Sequence, residues 1–195
     1  MPYKAILGIL AAIISFIAYI PYLRDVFKHK TKPHIFTWFV WSFIVGLGFM
    51  AQIKEGAGYG AWVTGVTAII CFSIAILSFS YGEKDIKKTD WLYFILAILG
   101  LIGWRLTNNP LVAIIMVILA DVLAFIPTMH KGYNKPYEET LSTWRLNSLK
   151  FTIALIALES YSLTTYLYPA TLIITNGAMA LILLVRRKNE KINIL

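Results

Sequence analysis

Two stretches of this chain match each other at an offset of 106 residues. The first is Ala18-Tyr19-Ile20-Pro21, followed by Thr37-Trp38; the second is Ala124-Phe125-Ile126-Pro127, followed by Thr143-Trp144. In both, the proline precedes the tryptophan by 17 positions, and a basic loop with a second proline (Pro33 or Pro136) lies between. Ser42 with Ser148, Ala51 with Ala157, Ile76 with Ile182 and Leu77 with Leu183 match at the same offset, and Trp62 falls opposite Tyr168. A helix–loop–helix used twice in a strongly apolar chain points to a membrane protein built from internal repeats.

The composition sets the class. Hydrophobic residues make up 58% and charged residues 14% of the chain, against roughly 25% charged residues in a soluble domain. With 195 residues and about 20 per membrane span, at most about eight or nine helices fit, and a separate soluble domain does not. Seven apolar segments stand out: Ala5–Leu23, Ile35–Ile53, Gly60–Phe79, Trp91–Trp104, Leu111–Met129, Leu141–Leu158 and Thr165–Val185. The first has no small-residue cleavage site before Pro21 and carries one copy of the repeat, so it reads as a retained helix. The fourth is short, but Arg105 can snorkel and Leu106-Thr107 can extend it. Cys71 is the single cysteine, which excludes an intrachain disulfide.

Charge fixes the expected topology. If the fourth segment spans, thirteen Lys/Arg residues collect on one side (among them Arg24, Lys28, Lys30, Lys32, Lys131, Lys135, Arg186 and Arg187), and only Lys4, Lys54 and Arg105 remain on the other. Lys/Arg excess marks the cytoplasmic face. The expected protein is therefore an all-α, multi-pass protein of the cell inner (plasma) membrane with seven transmembrane helices. Its N-terminus is outside and its C-terminus cytoplasmic. Residues 1–82 form the first three-helix repeat, 83–109 an inverting linker helix, and 110–195 the second repeat with a basic tail. Because the linker crosses, the two repeats are parallel. The net charge of +8 is spread over short loops and forms no basic folded face, so nucleic acid is not an expected partner. The expected partners are the lipid bilayer and a small-molecule substrate; homo-oligomer formation stays open.

Pro21 and Pro127 lie near the cytoplasmic ends of helices 1 and 5. Each removes the helical donor for the carbonyl four residues earlier, Ile17 or Leu123, and allows a kink. They are either plain helix stops or part of a gate. A layout of three helices, one linker and three helices, with these matched prolines, resembles the SWEET and PQ-loop superfamily of transporters. The resemblance covers nearly the whole chain. It implies transport of a sugar or a similar planar, polar metabolite by alternating access, through a central pocket between two triple-helix bundles. The signature Pro-Gln is Pro21-Tyr22 in one repeat and Pro127-Thr128 in the other, and helices 2 and 6 lack the prolines that SWEET proteins carry there. In that family an asparagine on helices 3 and 7 binds substrate; Asn176 matches it on helix 7, whereas helix 3 has Ile70, with Thr67 and Cys71 nearby.

Trp38 and Trp41 on helix 2, with Trp144 and Asn147 on helix 6, pair at i, i+3 spacing on one face of each helix. They form either an interfacial aromatic belt or the wall of a site for planar polar solutes. Asp121 and Lys150 fall near the middle of helices 5 and 6. Consecutive antiparallel helices put the two at similar depth, where they are expected to pair or to share a hydrogen-bond network, either as a structural ion pair or as a site for a proton or a charged solute. Their counterparts in the first repeat are Ser15 and Ile44. No nucleophile–base pair lies in the membrane, so an enzyme is not expected. The Gly-rich KEGAGYGAW stretch lacks the Lys-Ser/Thr of a phosphate loop. His29, His34 and His130 lack metal-ligand spacing, and no cofactor is implied. The rival class is a non-transporting receptor or scaffold that binds a partner through Lys28, Lys30, Lys32 and the basic tail.

Overall fold

The computed structural model describes residues 2–106 and 110–192; Thr107, to which the fourth segment was expected to extend, lies outside them. The described residues are all-helical: α1 (Pro2–Phe27), α2 (Ile35–Lys54), α3 (Trp62–Tyr81), α4 (Lys88–Leu106), α5 (Pro110–Asn134), α6 (Leu141–Ala157) and α7 (Leu163–Ile192). Short 3₁₀ turns at Gly58–Ala61 and Pro136–Glu138 lead into α3 and α6. The fourth helix begins a turn earlier than its apolar run. Asp90 explains this, because its carboxylate accepts the Lys87 backbone N–H at 2.8 Å and caps an otherwise polar first turn.

Pro21 and Pro127 do not end their helices. α1 runs on to Phe27 and α5 to Asn134, so the plain-stop reading is corrected: each proline is internal.

Within the first half, α3 packs against both α1 and α2, whose backbones do not approach each other and which meet only through long side chains such as Tyr22 and Trp38. The second half repeats this, with α7 between α5 and α6. The halves join through α1 on α6 and α5 on α2, while α4 lies outside against α5 and α2. Chain direction alternates along the bundle. At one end the loops after α1, α3 and α5 meet the C-terminal turns of α7: Lys32 pairs with Glu138 at 2.7 Å, Lys135 with Glu83 at 3.1 Å, and Arg187 donates to the Pro136 carbonyl at 2.9 Å. At the other end Lys4 donates to the Leu158 carbonyl, and the Glu159 N–H to the Ala57 carbonyl at 3.4 Å.

Four helical stretches are long and apolar enough to cross a membrane by themselves: 3–27, 58–81, 114–134 and 163–190. The outer faces are largely apolar, with Ile6, Ile13 and Ile20 on α1, Phe72, Ile76 and Phe79 on α3, Leu92, Leu99 and Ile102 on α4, and Ile174 and Leu181 on α7 all exposed. Exposed apolar surface this continuous needs a cover other than water. α6 falls short on composition because Arg145, Asn147 and Lys150 interrupt it. Asn147 and Lys150 point inward and are buried, while Leu149 and Ile156 are exposed.

Candidate functional site

The repeated sequence motif builds a reciprocal contact between the halves. The Thr37 hydroxyl on α2 donates to the Ala124 carbonyl on α5 at 2.6 Å, and the Thr143 hydroxyl on α6 donates to the Ala18 carbonyl on α1 at 2.8 Å. Both threonines are wholly buried. The accepting carbonyls lie three residues before each proline, one residue on from Ile17 and Leu123, which lose their helical donors to the prolines. Alanine at these positions leaves no side chain between the helices, so a hydroxyl can reach the backbone. Tyr22 and Thr128, which follow the prolines, both bond to α2: the Trp38 indole N–H donates to the Tyr22 hydroxyl at 3.1 Å, and Thr128 donates to the Thr37 hydroxyl at 2.9 Å.

Trp38 and Trp144 are fully buried beside these bonds. Trp144 lies 5.3 Å from the Phe125 ring and 6.5 Å from Tyr22, and Trp38 lies 5.1 Å from Tyr22 and 6.2 Å from Tyr19. The Trp144 indole N–H donates to the Glu139 carboxylate at 3.1 Å. The two tryptophans thus form an aromatic plug toward the basic end. Neither has exposed surface to offer a lipid belt, and neither is among the residues that line the cavity beside them.

Next to the plug lies a cavity of about 20 Å³, room for about one water. Every helix except α4 contributes a polar or aromatic wall residue: Tyr19, Trp41 and Thr67 from α1–α3, and Asp121, Asn147 and Asn176 from α5–α7. Trp41, Asn147 and Asn176 from the sequence reading therefore come together here. Ile70 is not on this wall; Thr67, one turn away, takes the α3 position. Three buried polar atoms at the cavity have no protein partner: Asp121 Oδ2, Asn147 Oδ1 and the Trp41 indole N–H. Asn147 donates its amide to the Tyr19 hydroxyl at 3.2 Å, and Asn176 donates to the Leu172 carbonyl on its own helix at 2.8 Å.

Asp121 and Lys150 do not form the expected ion pair. α5 and α6 are consecutive in sequence, but α7 keeps their backbones apart, and they meet only through large side chains such as Phe125 and Trp144. Each charge has its own neutral partner instead. Tyr168 on α7 donates to Asp121 Oδ1 at 3.2 Å, and Lys150 donates to the Thr67 hydroxyl on α3 at 2.9 Å. The Lys150 ammonium also lies 4.7 Å from the Tyr19 ring centre and 4.8 Å from that of Phe151, which partly replaces its lost water by cation–π attraction. Tyr19, Thr67 and Tyr168 are site residues that the sequence reading did not select. Tyr19 left one signal: it stands opposite Phe125 in the repeat and differs from it only by the hydroxyl that Asn147 uses.

Beyond the plug, at the basic end, charged side chains close the loops over one another. Lys131 and Glu139 form a buried ion pair. Burial pushes the Glu139 carboxyl above its usual range, and Lys131 and the Trp144 N–H act against this. Burial acts to raise the Glu83 carboxyl too, but the Asp85 backbone N–H and Lys135 outweigh it and hold it down at about 2. His34 lies 3.4 Å from Asp90, yet burial dominates and lowers its pKa. Among the described residues no group of three or more metal-ligating side chains is arranged to hold an ion.

Comparison with known proteins gives no relative: no family model, no curated protein and no solved structure matches the chain. The site's chemistry therefore has to be read from its own geometry.

Proposed function

We propose that this chain is a transporter that moves a small polar solute across a membrane by alternating access. All seven helices would cross, with the basic end in the cytoplasm, the N-terminus outside, and two parallel three-helix repeats joined by α4, in the manner of the SWEET and PQ-loop superfamily. A cell inner membrane is the proposed location. The observation that carries the reading is the cavity itself. It lies between the two triplets, takes five wall residues from each, and carries three polar atoms that the protein leaves without partners. A bundle stabilised only for itself satisfies its buried polar groups; here a solute would satisfy them.

In this conformation both routes to the cavity are narrow. The plug, the two Thr–carbonyl bonds and the Lys131–Glu139 pair close the basic end. Leu158, packed with Ala57 and Ala61, lies at the opposite end. Alternating access would break one set of contacts at a time, with the internal prolines Pro21 and Pro127 as hinges on the cytoplasmic side.

Uptake into proteoliposomes tests the proposal. Panels of sugars, nucleosides, vitamins and amino acids, with and without a proton gradient, should include a solute whose uptake wild-type protein supports and Asn147→Leu loses while remaining folded. No uptake across all panels would contradict it.

A further inference from the structure

Asp121 and Lys150 are both wholly buried and do not touch: Asp121 lines the cavity, and Lys150 is bonded to the wall residue Thr67. Among the described residues no carboxylate lies within ion-pair distance of the Lys150 ammonium, and Asp121 has only a tyrosine hydroxyl. An intramembrane charge is unfavourable, and opposite charges at one site normally pair. Here α7 and α3 hold them apart, each on a neutral hydroxyl (Tyr168 or Thr67) that leaves bonding capacity unused. Asp121 keeps one carboxylate oxygen free. Lys150 has three N–H donors and spends one on Thr67, with aromatic faces beside it.

We infer that the solute is a small zwitterion, carrying an ammonium and a carboxylate, which enters between Asp121 and Lys150 and completes the divided ion pair. This rests on the reading of the cavity as a solute site. The remaining free atoms suit such a ligand: Asn147 Oδ1 accepts from an ammonium, and the Trp41 indole N–H donates to a carboxylate. Tyr19, Phe151 and Leu172 supply apolar surface for a short carbon skeleton. An uncharged sugar would use the hydroxyl-binding groups but would give no reason for two buried formal charges. The cavity's present volume of about 20 Å³ requires the bundles to part before a zwitterion binds, as alternating access does. The competing account moves a proton from Lys150 to Asp121, leaving two neutral groups that need no ligand.

Thermal melting of the purified full chain in detergent decides between them. The probes are glycine, β-alanine, glycine betaine and the standard zwitterionic amino acids, with ethanolamine, propionate and glucose as partial or uncharged analogues. At least one zwitterion is expected to raise Tm by a few degrees, while ethanolamine and propionate leave it unchanged. Lys150→Gln should lose the zwitterion response and gain one to ethanolamine, and Asp121→Asn should lose it and gain one to propionate. Either crossed gain supports the inference even if the other variant fails to fold. If no zwitterion shifts wild-type Tm, or glucose shifts it and zwitterions do not, the inference is overturned. It is equally overturned if a zwitterion response survives Asp121→Asn and Lys150→Gln unchanged. A zwitterion that stabilises the protein but is not taken up by proteoliposomes would remove the transport reading and leave the site; uptake confined to uncharged solutes would do the reverse.

Discussion

The two halves of this protein are alike where they hold each other and unlike where they face the cavity. Thr37 and Thr143 reach the backbone of the opposite half, at Ala124 and Ala18, and Trp38 and Trp144 fill the space beside them. All six residues are matched pairs at the 106-residue offset. Around the cavity the pairs diverge: Trp41 stands against Asn147, Ser15 against Asp121, Ile44 against Lys150 and Ile70 against Asn176. Ser15 satisfies itself on the Ala11 carbonyl at 3.1 Å, and Ile44 is plain core, whereas their counterparts are charged. Matched residues serve an interface that must close on itself; a solute with no symmetry of its own is better met by an asymmetric wall.

The largest expected effect strikes the matched part. Trp38→Ala and Trp144→Ala should each destabilise by about 3–5 kcal/mol in equilibrium unfolding. Trp144→Ala should be the worse of the two, because the group that loses its indole donor is the buried Glu139 carboxylate, whereas for Trp38→Ala it is the neutral Tyr22 hydroxyl. Next come the hydroxyls. Thr143→Val should cost about 1–3 kcal/mol by leaving the Ala18 carbonyl with one bond fewer. Thr37→Val should cost more, since the Thr128 hydroxyl loses its acceptor as well. Equal losses would show that the asymmetric third threonine carries nothing.

Copying the first half into the second gives a smaller change in stability. Asp121→Ser with Lys150→Ile replaces both charges by their counterparts. It should leave unfolding free energy within about 1 kcal/mol of wild type, or raise it, while ligand response and uptake disappear. A loss of folding would instead make the two charges part of the scaffold. The smallest effect lies at the basic end. Glu83 is held down at about 2 against an ordinary 4.5. A depressed carboxyl stabilises the fold above the ordinary value, and that contribution is lost as pH falls from 4.5 toward 2. Glu83→Gln should flatten the acid limb of a Tm–pH profile over that window, by lowering Tm above pH 4.5 and leaving it nearly unchanged near pH 2.

The helices were legible because each apolar run is bounded by charge or turn residues, and they run past those bounds into polar turns, α1 to Phe27, α5 to Asn134 and α7 to Ile192, while Asp90 caps the early start of α4. What the sequence hid was adjacency. Reading consecutive helices as neighbours put Lys150 beside Asp121; the insertion of α7 between α5 and α6 parts them, and no local pattern announces that. Depth in the helix marked Trp38 and Trp144 as wall residues, but the direction of each side chain, set by packing on Tyr22 and Phe125, made them a plug. Thr67 was noted only as a neighbour of Ile70, and Tyr19 escaped notice, because a single hydroxyl in an apolar run is ordinary until the groups facing it are known.

Alternating access at the cavity is the central claim, and the single cysteine makes it directly testable. Cys71 is buried, so Cys71→Ala provides a background in which Asn147→Cys offers one thiol on the cavity wall. Membrane-impermeant thiol reagents applied to right-side-out and inside-out vesicles should modify that thiol from each face, with added solute changing the ratio of the two rates. A folded protein labelled from one face only, or from neither, would contradict the account.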